Sequence, residues 1–237
     1  LRLDRGVTNP IDGALADQLR EVLAEARDHP EVGGLVLASG SDKLFSLGFD
    51  LPALYDLGPD EITDFYDRFT SACLDLYTWP GPTAAAVAGH AIAGGCILAL
   101  CCDYRFVAEG RTLTGLNEIA LGVPVPHLPQ LILGELVGDR ACRQLLDSGE
   151  FVDAYKQHQL GIADRLLPRD KVVAVATREI DELAALPAAA YAATKAQRVE
   201  AITGRVILQR DERTAEFVRC WFSPEARELL GAAREKF

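Results

Sequence analysis

The sequence predicts an α/β fold with a helical C-terminal region. Helical and strand-like patterns alternate through the first half of the chain, the strand candidates are short buried runs, and beyond about residue 128 the signals turn almost purely helical. A chain of 237 residues with 49% hydrophobic content can bury a full core without help.

In chain order, "GALADQLREVLAEARD" (13–28) places Leu15, Leu19, Val22, Leu23 and Ala26 at helical spacing, and "GGLVLAS" (33–39) follows as a buried strand. The pair then recurs. Residues 60–79 are helical, "PTAAAVAG" (82–89) is strand-like, 94–101 is helical, and "DYRFVAEG" (103–110) is strand-like again. Helical stretches follow at 128–138, 139–149 and 170–186, and "LPAAA" (186–190) marks the boundary between a core of residues 1–185 and a helical region of residues 186–237. In that last region Phe217, Val218, Trp221 and Phe222 are either local core or a subunit interface, where aromatics concentrate.

Composition narrows the function. A formal charge of −11 opposes non-specific binding to nucleic acid or an anionic membrane, both of which need a basic footprint. No run reaches the roughly 18 apolar residues of a membrane span, and the first residues lack a signal-peptide layout, so a soluble, cytoplasmic protein is expected. The six cysteines form no Cys-x-x-Cys pair and the four histidines are scattered, which predicts buried free thiols and no metal.

Three short stretches stand apart from this scaffold. "FSLGFDL" (45–51) sets a glycine between bulky residues, "AIAGGCIL" (91–98) opens an apolar helix with glycines, and "TGLNEIALGVP" (114–124) holds one carboxylate, Glu118, among apolar residues. Singly, each has a plain reading as a tight turn, close helix packing or a surface carboxylate. In this order, and with "CDYR" (102–105) and "GIADRLLP" (161–168) behind them, they resemble the signatures of the crotonase, or enoyl-CoA hydratase/isomerase, superfamily over essentially the whole chain. "AGGC…ALCCDYR…GLNE…LG", with the later "TKAQR…VILQRDERTAEFV", is most similar to the mitochondrial-type Δ3-Δ2-enoyl-CoA isomerase branch.

That resemblance implies a crotonase-like spiral of ββα units, a homotrimer or dimer of trimers, an acyl-CoA thioester substrate and no cofactor beyond the coenzyme A the substrate carries. It maps the oxyanion hole onto the backbone N–H groups of Phe49 and Gly94, where glycines let a thioester oxygen approach and a helix N-terminus adds partial positive charge. Glu118 maps to the acid–base carboxylate, and the second glutamate of the hydratases maps to Ile97. One carboxylate moves a proton between C2 and C4, whereas an apolar residue cannot hold a water, so isomerisation of 3-enoyl-CoA is expected. Hydration, thioester hydrolysis, decarboxylation and a non-catalytic acyl-CoA-binding role are the alternatives.

Leu47, Gly48, Ile97 and His127 are the expected pocket residues, with His127 alternatively a packing histidine and His90 structural. Pro52 stands where many relatives carry a lysine near CoA. Lys195 and Arg198 are either its replacements or solvated helix charges.

Overall fold

The computed structural model describes residues 1–235; the last two residues of the 186–237 region lie outside them. The chain runs β1 (Arg2–Leu3), α1 (Gly13–Asp28), β2 (Leu35–Ser39), β3 (Leu44–Ser46), α2 (Leu51–Leu54), α3 (Pro59–Tyr77), β4 (Thr83–Val87), β5 (His90–Ile92), α4 (Gly94–Leu100), β6 (Tyr104–Ala108) and β7 (Thr114–Gly115). A 3-10 turn at Glu118–Leu121 leads to α5 (His127–Ser148), α6 (Ala154–Leu160), β8 (Arg165–Leu167) and α7 (Val172–Ala184). The chain then continues through α8 (Ala188–Leu208), α9 (Arg210–Trp221) and α10 (Pro224–Arg234).

Every strand pairing is parallel. A five-stranded sheet has the order β1-β2-β4-β6-β8, and a three-stranded sheet the order β3-β5-β7. From β2 onward successive strands therefore alternate between the sheets before a helix returns the chain, which is the expected spiral of ββα units. The central strand β4 shows why its sequence is "TAAAV". Parallel strands are covered on both faces: Ala85 and Val87 join the main core, while Ala84 and Ala86 pack with Val172, Ala176 and Ile180 of α7.

Local signals set the helices that frame the site. Asp12 caps α1 by accepting from the Leu15 N–H at 2.9 Å, and Leu15, Ala16, Leu19 and Leu23 form its buried face. At α3, Pro59 takes the first position, and the Glu61 carboxylate accepts from the Gly58 N–H at 2.8 Å. The stretch 127–148 is helical on both sides of Gly138, whose non-helical φ of 76° and ψ of 160° separate the two pieces the sequence predicts. All six cysteines are free, five of them buried.

The helices of 188–234 fold back over the core. Phe217 and Trp221 are each 1% exposed, so these aromatics fill the chain's own interior.

Candidate active site

Two loops meet between the sheets. Asn9, fully buried with φ of 45°, donates from Nδ2 to the Phe45 carbonyl at 3.0 Å, and Ser46 Oγ donates to the Asn9 carbonyl at 2.8 Å. Ser46 Oγ also accepts from the Gly48 N–H at 3.0 Å, fixing the turn that follows β3. Gly48 has φ of +94°, and a Cβ there would lie 2.8 Å from the Gly94 nitrogen, so only glycine fits.

The backbone at Phe49 is oriented by a parallel bridge to Ile11. The Ile11 N–H donates to the Gly48 carbonyl at 2.8 Å and the Asp50 N–H to the Ile11 carbonyl at 2.9 Å. Those groups point one way along an extended segment, so the Phe49 N–H points the other way.

Opposite it, Gly94 is the first residue of α4, where helix N–H groups have no intrahelical acceptor. Gly95 lets this helix sit against β3: a Cβ there would fall 2.3 Å from the Ser46 carbonyl oxygen. Ala93, just before it, holds φ of 47° and ψ of −118°, strained for a residue with a Cβ. Nothing in the sequence marks that strain.

Both loops open onto one cavity of about 210 Å³ whose lining includes Leu47, Phe49, Gly94, Glu118, Phe217 and Trp221. Glu118 opens the 3-10 turn and is 6% exposed. Its Oε2 is buried with no hydrogen-bond partner among the described residues, and burial pushes its carboxyl up to about 7. It is the one ionisable side chain in that lining. The neighbouring Asn117 lines the cavity too, and its Oδ1 is likewise buried and unpartnered. Asn117 was not singled out from sequence, although "NE" sets the two side by side.

Other expected residues fall elsewhere. Ile97 and His127 line a second cavity, with Tyr66, Phe69, Arg210 and Arg213, and neither belongs to the lining of the Glu118 cavity. Ile97 lies one helical turn beyond Gly94, which carries it past the Glu118 cavity. Ile119, a flanking residue in the sequence, is 51% exposed, so the apolar surroundings of Glu118 come instead from Leu121, Val123, Phe217, Trp221 and Leu230. His90 is structural, its Nδ1 accepting from the Leu113 N–H at 2.9 Å.

Lys195 and Arg198, the expected coenzyme A contacts, both meet Asp103. Lys195, 2% exposed, donates to Asp103 Oδ2 at 2.6 Å and to the Gly81 carbonyl at 3.0 Å, and Arg198 pairs with Asp103 Oδ1. Neither lines the Glu118 cavity. Arg227 and Arg234 lie on the helix that contributes Leu230 and Ala233 to the cavity, and both guanidinium groups lie over the Tyr55 ring, at 3.5 and 4.4 Å from its centroid. Among the described residues no cluster of three or more His, Cys, Asp or Glu could hold a metal, and no helix is long and apolar enough to cross a membrane.

The family model described as enoyl-CoA hydratase/isomerase matches residues 1–232. Human mitochondrial enoyl-CoA delta isomerase 1 is 32% identical over 186 residues, covering 78% of this chain and 62% of its own length. A putative enoyl-CoA hydratase of Thermus thermophilus is 35% identical over 179 residues, 74% of this chain and 70% of that one. The solved structure of human mitochondrial delta3-delta2-enoyl-CoA isomerase superposes with a TM-score of 0.94 at 27% identity, covering 98% of this chain and 90% of that one.

Proposed function

The chain belongs to the enoyl-CoA hydratase/isomerase family, and from that premise we propose that it isomerises 3-enoyl-CoA to trans-2-enoyl-CoA. The observation that carries the reading is the single ionisable group lining the cavity, Glu118, facing the same space as Phe49 and Gly94.

In the proposed cycle the thioester oxygen accepts from the Phe49 and Gly94 N–H groups. Glu118 takes a proton from C2, the electron pair spreads through the dienolate to the oxygen, and the same carboxyl returns the proton at C4 as the double bond settles between C2 and C3. Preorganised N–H donors favour the oxyanion over the ground-state carbonyl, and removing one such donor typically costs about 10²–10³ in rate. Burial brings the Glu118 basicity near neutrality, where one group serves as both base and acid. The likeness to the human isomerase, in sequence and in fold, supports the same reading.

Hydration of 2-enoyl-CoA is the second reading. Asn117 Oδ1 beside Glu118 favours it, because two unpartnered acceptors facing one cavity are a place for a water, and so does the likeness to the Thermus protein. The test is a product panel: purified protein with 3-enoyl-CoA and with 2-enoyl-CoA, resolving isomerised from hydrated product by chromatography. Predominant isomerisation is expected. Formation of 3-hydroxyacyl-CoA from 2-enoyl-CoA at a comparable rate would replace isomerase by hydratase.

A further inference from the structure

The Glu118 cavity has an open end and a closed one. Leu47, Ala93 and Asn117, on the loops that follow the short strands, are half-buried, whereas Phe217, Trp221 and Leu230, on α9 and α10, are each 1% exposed or less. The two arms of an acyl-CoA thioester differ in the same way. The coenzyme A arm is anionic and far larger than the cavity, and a charge held away from water is costly, so that arm leaves by the open end. Gly94, next to Ala93, lines the same cavity, so the acyl chain starts at the loops and takes the apolar end toward α9 and α10.

That end is walled by aromatic rings in two layers. Phe217 lies 5.8 Å from Trp221 and stacks on Tyr66 at 4.2 Å, and Phe49, 6.4 Å from Phe217, meets Phe65 and Phe69 edge-on at 4.8 and 4.9 Å. Tyr66, Phe65 and Phe69 are themselves 4% exposed or less. A ring of the first layer thus has close-packed neighbours behind it, and pushing it back forces them out of their rotamers. The wall resists a longer chain.

The space in front of it is about 210 Å³. An apolar cavity of about 150 Å³ takes benzene, with six non-hydrogen atoms, so this one takes about eight. The thioester oxygen and sulfur occupy two of those places and leave room for about six carbons.

We infer that the closed end of the Glu118 cavity limits the acyl group to about six carbons, so that the protein takes short-chain acyl-CoA thioesters, with Phe217 and Trp221 setting the limit. The inference rests on the acyl-CoA reading above and names the chain length of its substrate. Calorimetric titration with hexanoyl-CoA and with decanoyl-CoA tests it, neither compound needing to react.

Each buried methylene is worth about fourfold in affinity, so a pocket that continued past the rings would favour decanoyl-CoA by about 200-fold. A pocket that ends there should instead leave decanoyl-CoA about tenfold weaker than hexanoyl-CoA in wild-type protein. Trp221→Leu, which stays apolar and removes part of the wall, should narrow that gap by about fivefold or more, and Phe217→Leu should shift the ratio in the same direction. Decanoyl-CoA bound by wild-type protein as tightly as hexanoyl-CoA, or more tightly, would overturn the inference. An unchanged ratio in both folded variants would overturn the assignment of the limit to these two rings. Failure of both thioesters to bind wild-type protein would instead overturn the acyl-CoA reading itself.

Discussion

Asp103 and Glu118 are both buried carboxylates, with side-chain exposure of 5% for Asp103 and residue exposure of 6% for Glu118. Asp103 accepts from the Thr83 N–H at 2.9 Å, from Thr83 Oγ1 at 3.0 Å, from Lys195 Nζ at 2.6 Å and from Arg198. Glu118 Oε2 has none of this. A charge taken from water is tolerated when partners replace its solvation and is otherwise driven toward its neutral form. The first arrangement fastens α8 to the ends of the interior strands β4 and β6. The second leaves a carboxyl whose buried Oε2 is free to accept and release a proton. On the proposed reading, chemistry and scaffolding use the same functional group, and the supply of partners decides between them.

The hardest test of that contrast exchanges each group's charge while keeping its shape. Glu118→Gln should lower isomerase turnover by about 10³-fold or more, since an amide of the same size is no base, while acyl-CoA affinity measured by calorimetry stays within about threefold. Retained activity would move the acid–base role elsewhere. Gly48→Ala should come next, with a loss of about 10²–10³ in kcat. Its Cβ would be placed 2.8 Å from the Gly94 nitrogen, at a φ of +94°, and would displace that donor. An unchanged kcat would remove Gly94 from the oxyanion hole.

Lys195→Met tests the other side. Removing one member of a buried ion pair typically costs about 3 kcal/mol or more, because the remaining charge is left short of partners. Urea denaturation should show a loss of that order, and turnover of the folded protein should stay within about twofold, since Lys195 does not line the cavity. A large fall in turnover at unchanged stability would return Lys195 to the substrate.

The sequence resolved these two carboxylates unequally, for a physical reason. Glu118 is legible because it and the glycine segments lie within short ordered motifs, and α1 at 13–28 is legible because sixteen residues display several helical turns. Asp103 is joined to Lys195 across 92 residues, a separation over which periodicity carries no information, so the lysine read equally well as a ligand contact. The strands β3, β5 and β7 are three, three and two residues long, too short for alternation to show. Composition marked Phe217, Val218, Trp221 and Phe222 as local core or a subunit interface without deciding between them. The structure places Phe217 and Trp221 in the lining of the Glu118 cavity.

The last and smallest effect is the stability cost of leaving Glu118 Oε2 buried without a partner. Burial raises its carboxyl from the usual 4.5 to about 7, so between those values the folded chain holds a proton that the unfolded chain has released. Stability from this group is then fully present below about 4.5 and is lost as pH rises through about 7. Glutamine does not titrate, so the unfolding free energy of Glu118→Gln relative to wild type should climb across that window, by up to roughly 3 kcal/mol at pH 8. Relaxation and water entry reduce the figure without changing its sign. Urea melts of both proteins at pH 5 and pH 8 read the difference directly: the variant should gain on wild type at the higher pH, the same exchange that removes catalysis. A variant that gained nothing between the two would mean that Glu118 has found partners, and the contrast with Asp103 would fail at its root.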